Sequence, residues 1–167
     1  MDRVWAPWRA NYVTGEKTAQ DGRCIFCDKP AGADMRKELV LCRGARVFAL
    51  MNLYPYNGGH IMVAPYEHVS CMTELPDDAL LEIMTAAKKL VPVLREVMKP
   101  DGFNMGFNLG RAAGAGLERH MHFHIVPRWS GDSNFMAALA DTRVISEHIE
   151  TTYDRLREAI VRAEIEG

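Results

Sequence analysis

The chain has 167 residues, 48% of them hydrophobic and 25% charged, which suits one soluble domain with a buried core. A formal net charge of −2 supplies no basic field for a nucleic-acid backbone. No apolar run approaches the ~20 residues that span a bilayer. The opening MDRVWAPWRANY lacks the apolar stretch of a signal peptide. A cytoplasmic protein is expected, with no membrane and no nucleic-acid partner, organised as a single domain over 1–167.

Residues 1–23 predict an irregular arm ahead of a core at about 24–135. Cys24 and Cys27 form a C-x-x-C pair, which in a reducing compartment points to metal, redox chemistry or coincidence. Short strands are expected at 46–50 and 59–65, with the turn-rich Asn52-Leu53-Tyr54-Pro55-Tyr56-Asn57-Gly58-Gly59 between them. Pro76, Asp77 and Asp78 suit a helix start. Leu80, Ile83, Met84, Ala87, Val91, Leu94 and Met98 then recur at helical spacing. Pro92 should kink or break that helix, and Pro100-Asp101-Gly102 should end it. A strand at 103–108 and a glycine-rich loop at 110–116 lead to the clearest strand, 120–127. Helical spacing returns at about 145–165. The expected fold class is α+β, with a mainly antiparallel sheet, one long helix and a C-terminal helix.

In the segment 120–127, His120, His122 and His124 alternate with Met121, Phe123 and Ile125. Side chains on a strand alternate faces, so three imidazoles share one face, with neighbours roughly 6.6 Å apart. Imidazoles in a row along one strand do not converge readily on a single ion with bonds of ~2.0–2.1 Å. A division of labour between them is expected.

The run H-M-H-F-H-I-V-P resembles the signature of the histidine-triad (HIT) superfamily. Asn52, the element Gly59-His60-Ile61-Met62-Val63 with Pro65, and the pair Asn108 and Gly110 resemble its upstream motifs in the right order. Pro127-Arg128-Trp129 resembles the ending seen in the superfamily's bacterial diadenosine tetraphosphate phosphorylases.

That resemblance implies a HIT-like fold and an enzyme that cleaves dinucleoside polyphosphates at the α-phosphorus. His122 would be the nucleophile, forming a covalent nucleotidyl-histidine that phosphate or water resolves. His124 and His60 would assist. Asn52 would hold the ribose, and Asn108 would contact phosphate or position the loop. Gly110 and Gly116 would let loop N–H groups approach phosphate. Leu53, Phe26 and Ile25 are candidate walls for the nucleoside, although core packing explains each equally well. Family members often carry Ser, Thr or Gln just before the triad. Here Gly116-Leu117-Glu118-Arg119 offers none, so the donor must be loop backbone, another histidine, Arg111 or Arg119. The resemblance also implies a structural zinc held by Cys24, Cys27, His68 and His120, a closed Cys2His2 set, and a homodimer. Other readings are an AMP phosphoramidase and a nucleotide-binding protein with an idle triad.

Overall fold

A computed structural model describes residues 24–132 and 147–165. The expected arm at 1–23, the end of the expected core at 133–135 and the start of the expected C-terminal helix lie outside them. Two four-residue helices open the described chain, α1 (Ile25–Asp28) and α2 (Met35–Glu38). Strands β1 (Val40–Arg43), β2 (Val47–Met51) and β3 (Ile61–Pro65) follow, then the long helix α3 (Asp77–Met98). Strands β4 (Gly102–Phe107) and β5 (Phe123–Arg128) and helix α4 (Ile149–Arg162) complete the order. The five strands form one sheet in the order β1-β2-β3-β5-β4, and every neighbouring pair is antiparallel. The α+β expectation holds. Strand β1, which has only four residues, was not expected.

Alternation along the strands divides the core. Val47, Ala49 and Met51, Ile61 and Val63, and Phe123 and Ile125 pack beneath α3 and α4. Phe48, Leu50, Met62 and Ala64 face the other way and pack with Val40 and Phe26. Each such strand is therefore buried on both faces. Helix α3 runs unbroken through Pro92, so the expected break does not occur. Its buried stripe is Ala79, Ile83, Ala87, Leu90, Val93 and Leu94. Met84, placed on the apolar stripe by spacing, is half exposed. Ile83, Ala87 and Leu94 of the expected stripe are buried and Leu80, Val91 and Met98 pack partly buried against the core, while Ala79, Leu90 and Val93 join the buried face. Among the described residues, no helix is long and apolar enough to cross a membrane.

The histidine strand departs from expectation at its start. Ladder pairing in β5 begins at Phe123, opposite Val63, so His120, Met121 and His122 precede the strand proper. The Met121 N–H is instead taken by the Val69 carbonyl at 2.7 Å. This bond draws the segment away from β3 and towards the loop that carries His68.

Candidate active site and metal centre

The triad lies on the sheet face opposite α3. His124 pairs with Met62, whose side chain belongs to the smaller core cluster. His60, His120, His122 and His124 are all buried. Their tautomers follow from partners that can act in only one way.

The His122 Nδ1 lies 2.9 Å from the His120 carbonyl oxygen. A carbonyl only accepts, so Nδ1 carries the proton and Nε2 keeps its lone pair. Burial holds this imidazole below the usual histidine range, against the pull of that carbonyl. His122 is thus neutral near pH 7, with an unprotonated Nε2.

His60 is oriented by the turn that precedes β3. Gly59 enters it at a positive φ of 71°. A side chain at Gly59 would crowd Met98 and Pro127, so glycine suits this turn on both counts. The Asn52 N–H bonds the His60 carbonyl at 3.0 Å. The Tyr56 N–H donates to His60 Nδ1 at 3.1 Å, and the Asn52 side-chain amide approaches the same nitrogen at 3.3 Å. The proton therefore sits on His60 Nε2, which donates to His124 Nδ1 at 2.9 Å. With Nδ1 accepting, His124 carries its proton on Nε2; the Asn108 amide nitrogen 3.3 Å away is itself a donor and does not bond that N–H in this tautomer. Burial holds His124 down to about 4, with the neighbouring His122 adding to the effect. The result is a directed chain, Tyr56 N–H to His60 to His124, whose last ring stands beside His122. The His122 and His124 ring centroids are 4.7 Å apart.

Phe26 is 1% exposed. Its ring packs 4.6 Å from His122 and 5.1 Å from His120, centroid to centroid. It sits beneath the imidazoles rather than lining an open wall. Leu53, the other expected wall residue, is exposed on the turn. Asn108 and Gly110 lie just beyond β4, and Gly110 takes a positive φ of 80°. Gly116 is exposed. Among the described residues, no backbone carbonyl takes the N–H of Gly116, Leu117 or Glu118. Of the two expected arginine donors, Arg119 is exposed beside the triad and Arg111 is engaged elsewhere. Arg111 pairs with Glu118 at 2.7 Å. Arg128 forms two bonds of 2.7 Å to Asp132, which also accepts from Asn57 at 2.8 Å.

Cys24, Cys27, His68 and His120 place four ligand atoms within 4.8 Å of one another. One helical turn sets the cysteines side by side, since the Cys27 N–H bonds the Cys24 carbonyl at 2.9 Å. The Cys24 Sγ lies 3.3 Å from His120 Nδ1. The Cys27 Sγ lies 3.3 Å from His68 Nδ1 and 3.6 Å from His120 Nδ1. The two imidazole nitrogens are 3.3 Å apart. A tetrahedron with bonds of ~2.05 Å to nitrogen and ~2.3 Å to sulfur has edges of about 3.3 Å (N···N) and 3.6 Å (S···N). The four donors thus fit a metal ion. His120 Nε2 donates to the Pro65 carbonyl at 2.9 Å, which fixes its ring and turns the Nδ1 lone pair to the cluster.

Sequence reasoning did not single out Tyr56, whose ring stacks on His124 and leans on His60 at centroid distances of 5.5 and 4.8 Å. It also missed Asp132, which joins Arg128 to the turn through Asn57. An aromatic residue in a Pro-rich turn was the one available signal for Tyr56.

Comparison with known proteins agrees with this geometry. The HIT domain family model matches residues 35–131. An AP-4-A phosphorylase of Mycobacterium tuberculosis is 39% identical over 158 residues, covering 91% of this chain and 80% of that protein. A structure described as a hypothetical histidine triad nucleotide-binding protein from Sulfolobus tokodaii shares 27% identity at a TM-score of 0.67, covering 84% of this chain and 94% of its own. A zinc-bound histidine triad family protein from Mycobacterium smegmatis has the same fold, with a TM-score of 0.68 at 24% identity over 86% of this chain and 97% of its own. By family model, sequence and fold, the chain belongs to the histidine-triad (HIT) family.

Proposed function

We propose that this HIT-family enzyme cleaves a dinucleoside polyphosphate, such as diadenosine tetraphosphate, at the α-phosphorus, and that inorganic phosphate resolves the intermediate. The observation that carries the reading is the His122 tautomer. Its Nδ1 proton is committed to the His120 carbonyl, so the Nε2 lone pair is available for attack. In the first step His122 Nε2 forms a bond to the α-phosphorus. The bond from that phosphorus to the leaving oxygen breaks, and ATP departs from diadenosine tetraphosphate. In the second step a phosphate oxygen attacks the same phosphorus. The N–P bond breaks, its electron pair returns to Nε2, and ADP leaves. Splitting one displacement into two lowers each barrier.

The His60–His124 chain holds an N–H beside the nucleophile, where phosphoryl oxygens gather charge. The donors at Gly116, Leu117 and Glu118 suit the same oxygens. The choice of substrate and of phosphate over water rests on the 39% identity to the mycobacterial phosphorylase. In this reading the Asn52 amide also meets the ribose, and Leu53 lies on the nucleoside side.

The Cys24, Cys27, His68 and His120 site is assigned to zinc on the chemistry of two thiolates and two imidazoles. With no fourth position left open, the ion's contribution is structural. It ties α1 and the loop after β3 to the segment that carries His122. A homodimer is also part of the reading. Strand β4 ends the sheet and exposes Met105, as an edge covered by a second copy would.

Incubating the enzyme with diadenosine tetraphosphate, with and without inorganic phosphate, tests the function. The expected result is ADP plus ATP, formed only with phosphate. AMP plus ATP released at full rate without phosphate would assign a hydrolase, and two ADP would place the cut elsewhere.

A further inference from the structure

The segment just before the triad, Gly116-Leu117-Glu118-Arg119, has no hydroxyl or side-chain amide to meet the phosphates of the departing group. The fold brings a hydroxyl from elsewhere. Tyr56 lies on the turn between β2 and β3. Its backbone N–H is fixed on His60 Nδ1 at 3.1 Å, and its ring lies over both His60 and His124. Three contacts thus hold the ring in one position. The phenolic oxygen stands 3.4 Å from the Asn108 side-chain nitrogen, and Asn108 stands 3.3 Å from His124 Nε2. Hydroxyl, amide and imidazole N–H therefore gather at one point beside the nucleophile.

The rings Phe26, His122, His124 and Tyr56 are in contact one after the next, with centroid distances of 4.6, 4.7 and 5.5 Å. Phe26 is sealed at 1% exposure, His122 is 7% exposed and Tyr56 is 39% exposed. The series runs outward to solvent. A long leaving group that carries its own nucleoside needs the open end.

Resting on the function proposed above, we infer that the Tyr56 hydroxyl donates a hydrogen bond to the phosphate next to the attacked phosphorus, on the leaving side. A phenol at pH 7 is protonated, so it is a donor to an anionic oxygen, and such bonds are stronger than neutral ones. No proton changes owner in this role. The hydroxyl stabilises charge on the departing polyphosphate while His122 Nε2 bonds to the α-phosphorus. Tyr56 is then a specificity residue, separating polyphosphate leaving groups from others.

Tyr56→Phe keeps the ring and removes only the hydroxyl. Two substrates with the same AMP moiety test it: diadenosine tetraphosphate, and the p-nitrophenyl ester of AMP, whose leaving group has no phosphate. The variant should lose roughly 10- to 100-fold in kcat/KM on the tetraphosphate, and less than about threefold on the ester. Tyr56→Leu, which also removes the stacking on His60 and His124, should impair both substrates. A loss in Tyr56→Phe that is equal on both substrates would move the contact to the transferred group and overturn the assignment. Unchanged kinetics on both would overturn it as well. Rapid quench of the wild type in parallel separates the two levels. With nucleotidyl-His122 present, such kinetics reject only the role of Tyr56. Its absence rejects the underlying reading and the role of Tyr56 with it.

Discussion

Phe26→Ala discriminates between two uses of one side chain. If Phe26 were chiefly a nucleoside wall, its loss would raise KM and leave the fold nearly as stable. The structure predicts otherwise. The side chain is 1% exposed and packs with Val40, Phe48, Leu50, Met62 and Ala64 as well as with the rings of His120 and His122. Emptying a site of this kind costs about 3–5 kcal/mol, transfer and cavity terms together. The lost ring contacts fall within that range rather than adding to it. For a chain of this size each kcal/mol shifts the melting point by about 2–4 °C, so a fall on the order of 10 °C is expected. The host helix, α1, has four residues and is far too short to persist alone. It is held by Phe26 and by the metal cluster, so removing the ring should also weaken zinc retention. Denaturant unfolding at saturating and at depleted zinc, with elemental analysis, measures both effects. Stability within about 1 kcal/mol of wild type, with zinc unchanged and KM raised, would refute this account of Phe26.

Two other outcomes follow from the same geometry. Cys24→Ser or His68→Ala should lower zinc content and melting temperature together, because binding energy at such a site is folding energy; full metal retention in His68→Ala would remove His68 from the ligand set. Acid should also destabilise the protein through His124. Its folded value is held down to about 4, so the unfolded chain takes the proton first, near the ordinary 6.5. The stability from burying it neutral is complete above pH 6.5 and is lost as pH falls from 6.5 towards 4. His124→Asn should flatten that limb of a stability–pH curve, and an unchanged limb would assign it to other groups.

Much of this site is legible in the sequence because strand periodicity is strict. Alternation of His120, His122 and His124 with Met121, Phe123 and Ile125 places the imidazoles on one face, and the three apolar side chains do lie in the core beneath α3 and α4. Of the metal cluster, the Cys24 and Cys27 pair is legible from its spacing and His68 and His120 are implied by the family resemblance, although the means of assembly is not legible. It depends on the Met121 N–H turning to Val69, a contact between distant segments. Helical spacing was less exact. Ile83, Ala87 and Leu94 lie where the spacing put them, whereas Met84 is half exposed and Ala79, Leu90 and Val93 are buried; the expected and observed stripes overlap and differ by a small rotation. Only the sheet's shape decides between them. The tautomers of His60 and His122 depend on backbone partners, and that of His124 on His60; none of these leaves a mark on residue type. Tyr56 was hidden for a similar reason, since its place over His60 and His124 arises from the way the turn folds back.

The central claim is that His122 Nε2 becomes covalently bound to the nucleotide. It is tested most directly by rapid acid-free quench of the enzyme with labelled diadenosine tetraphosphate in the absence of phosphate, followed by peptide mapping. The account predicts an acid-labile nucleotidyl group on His122 that is discharged as ADP when phosphate is added and is absent from a folded His122→Ala variant. Label on another residue, or full turnover by His122→Ala, would contradict it.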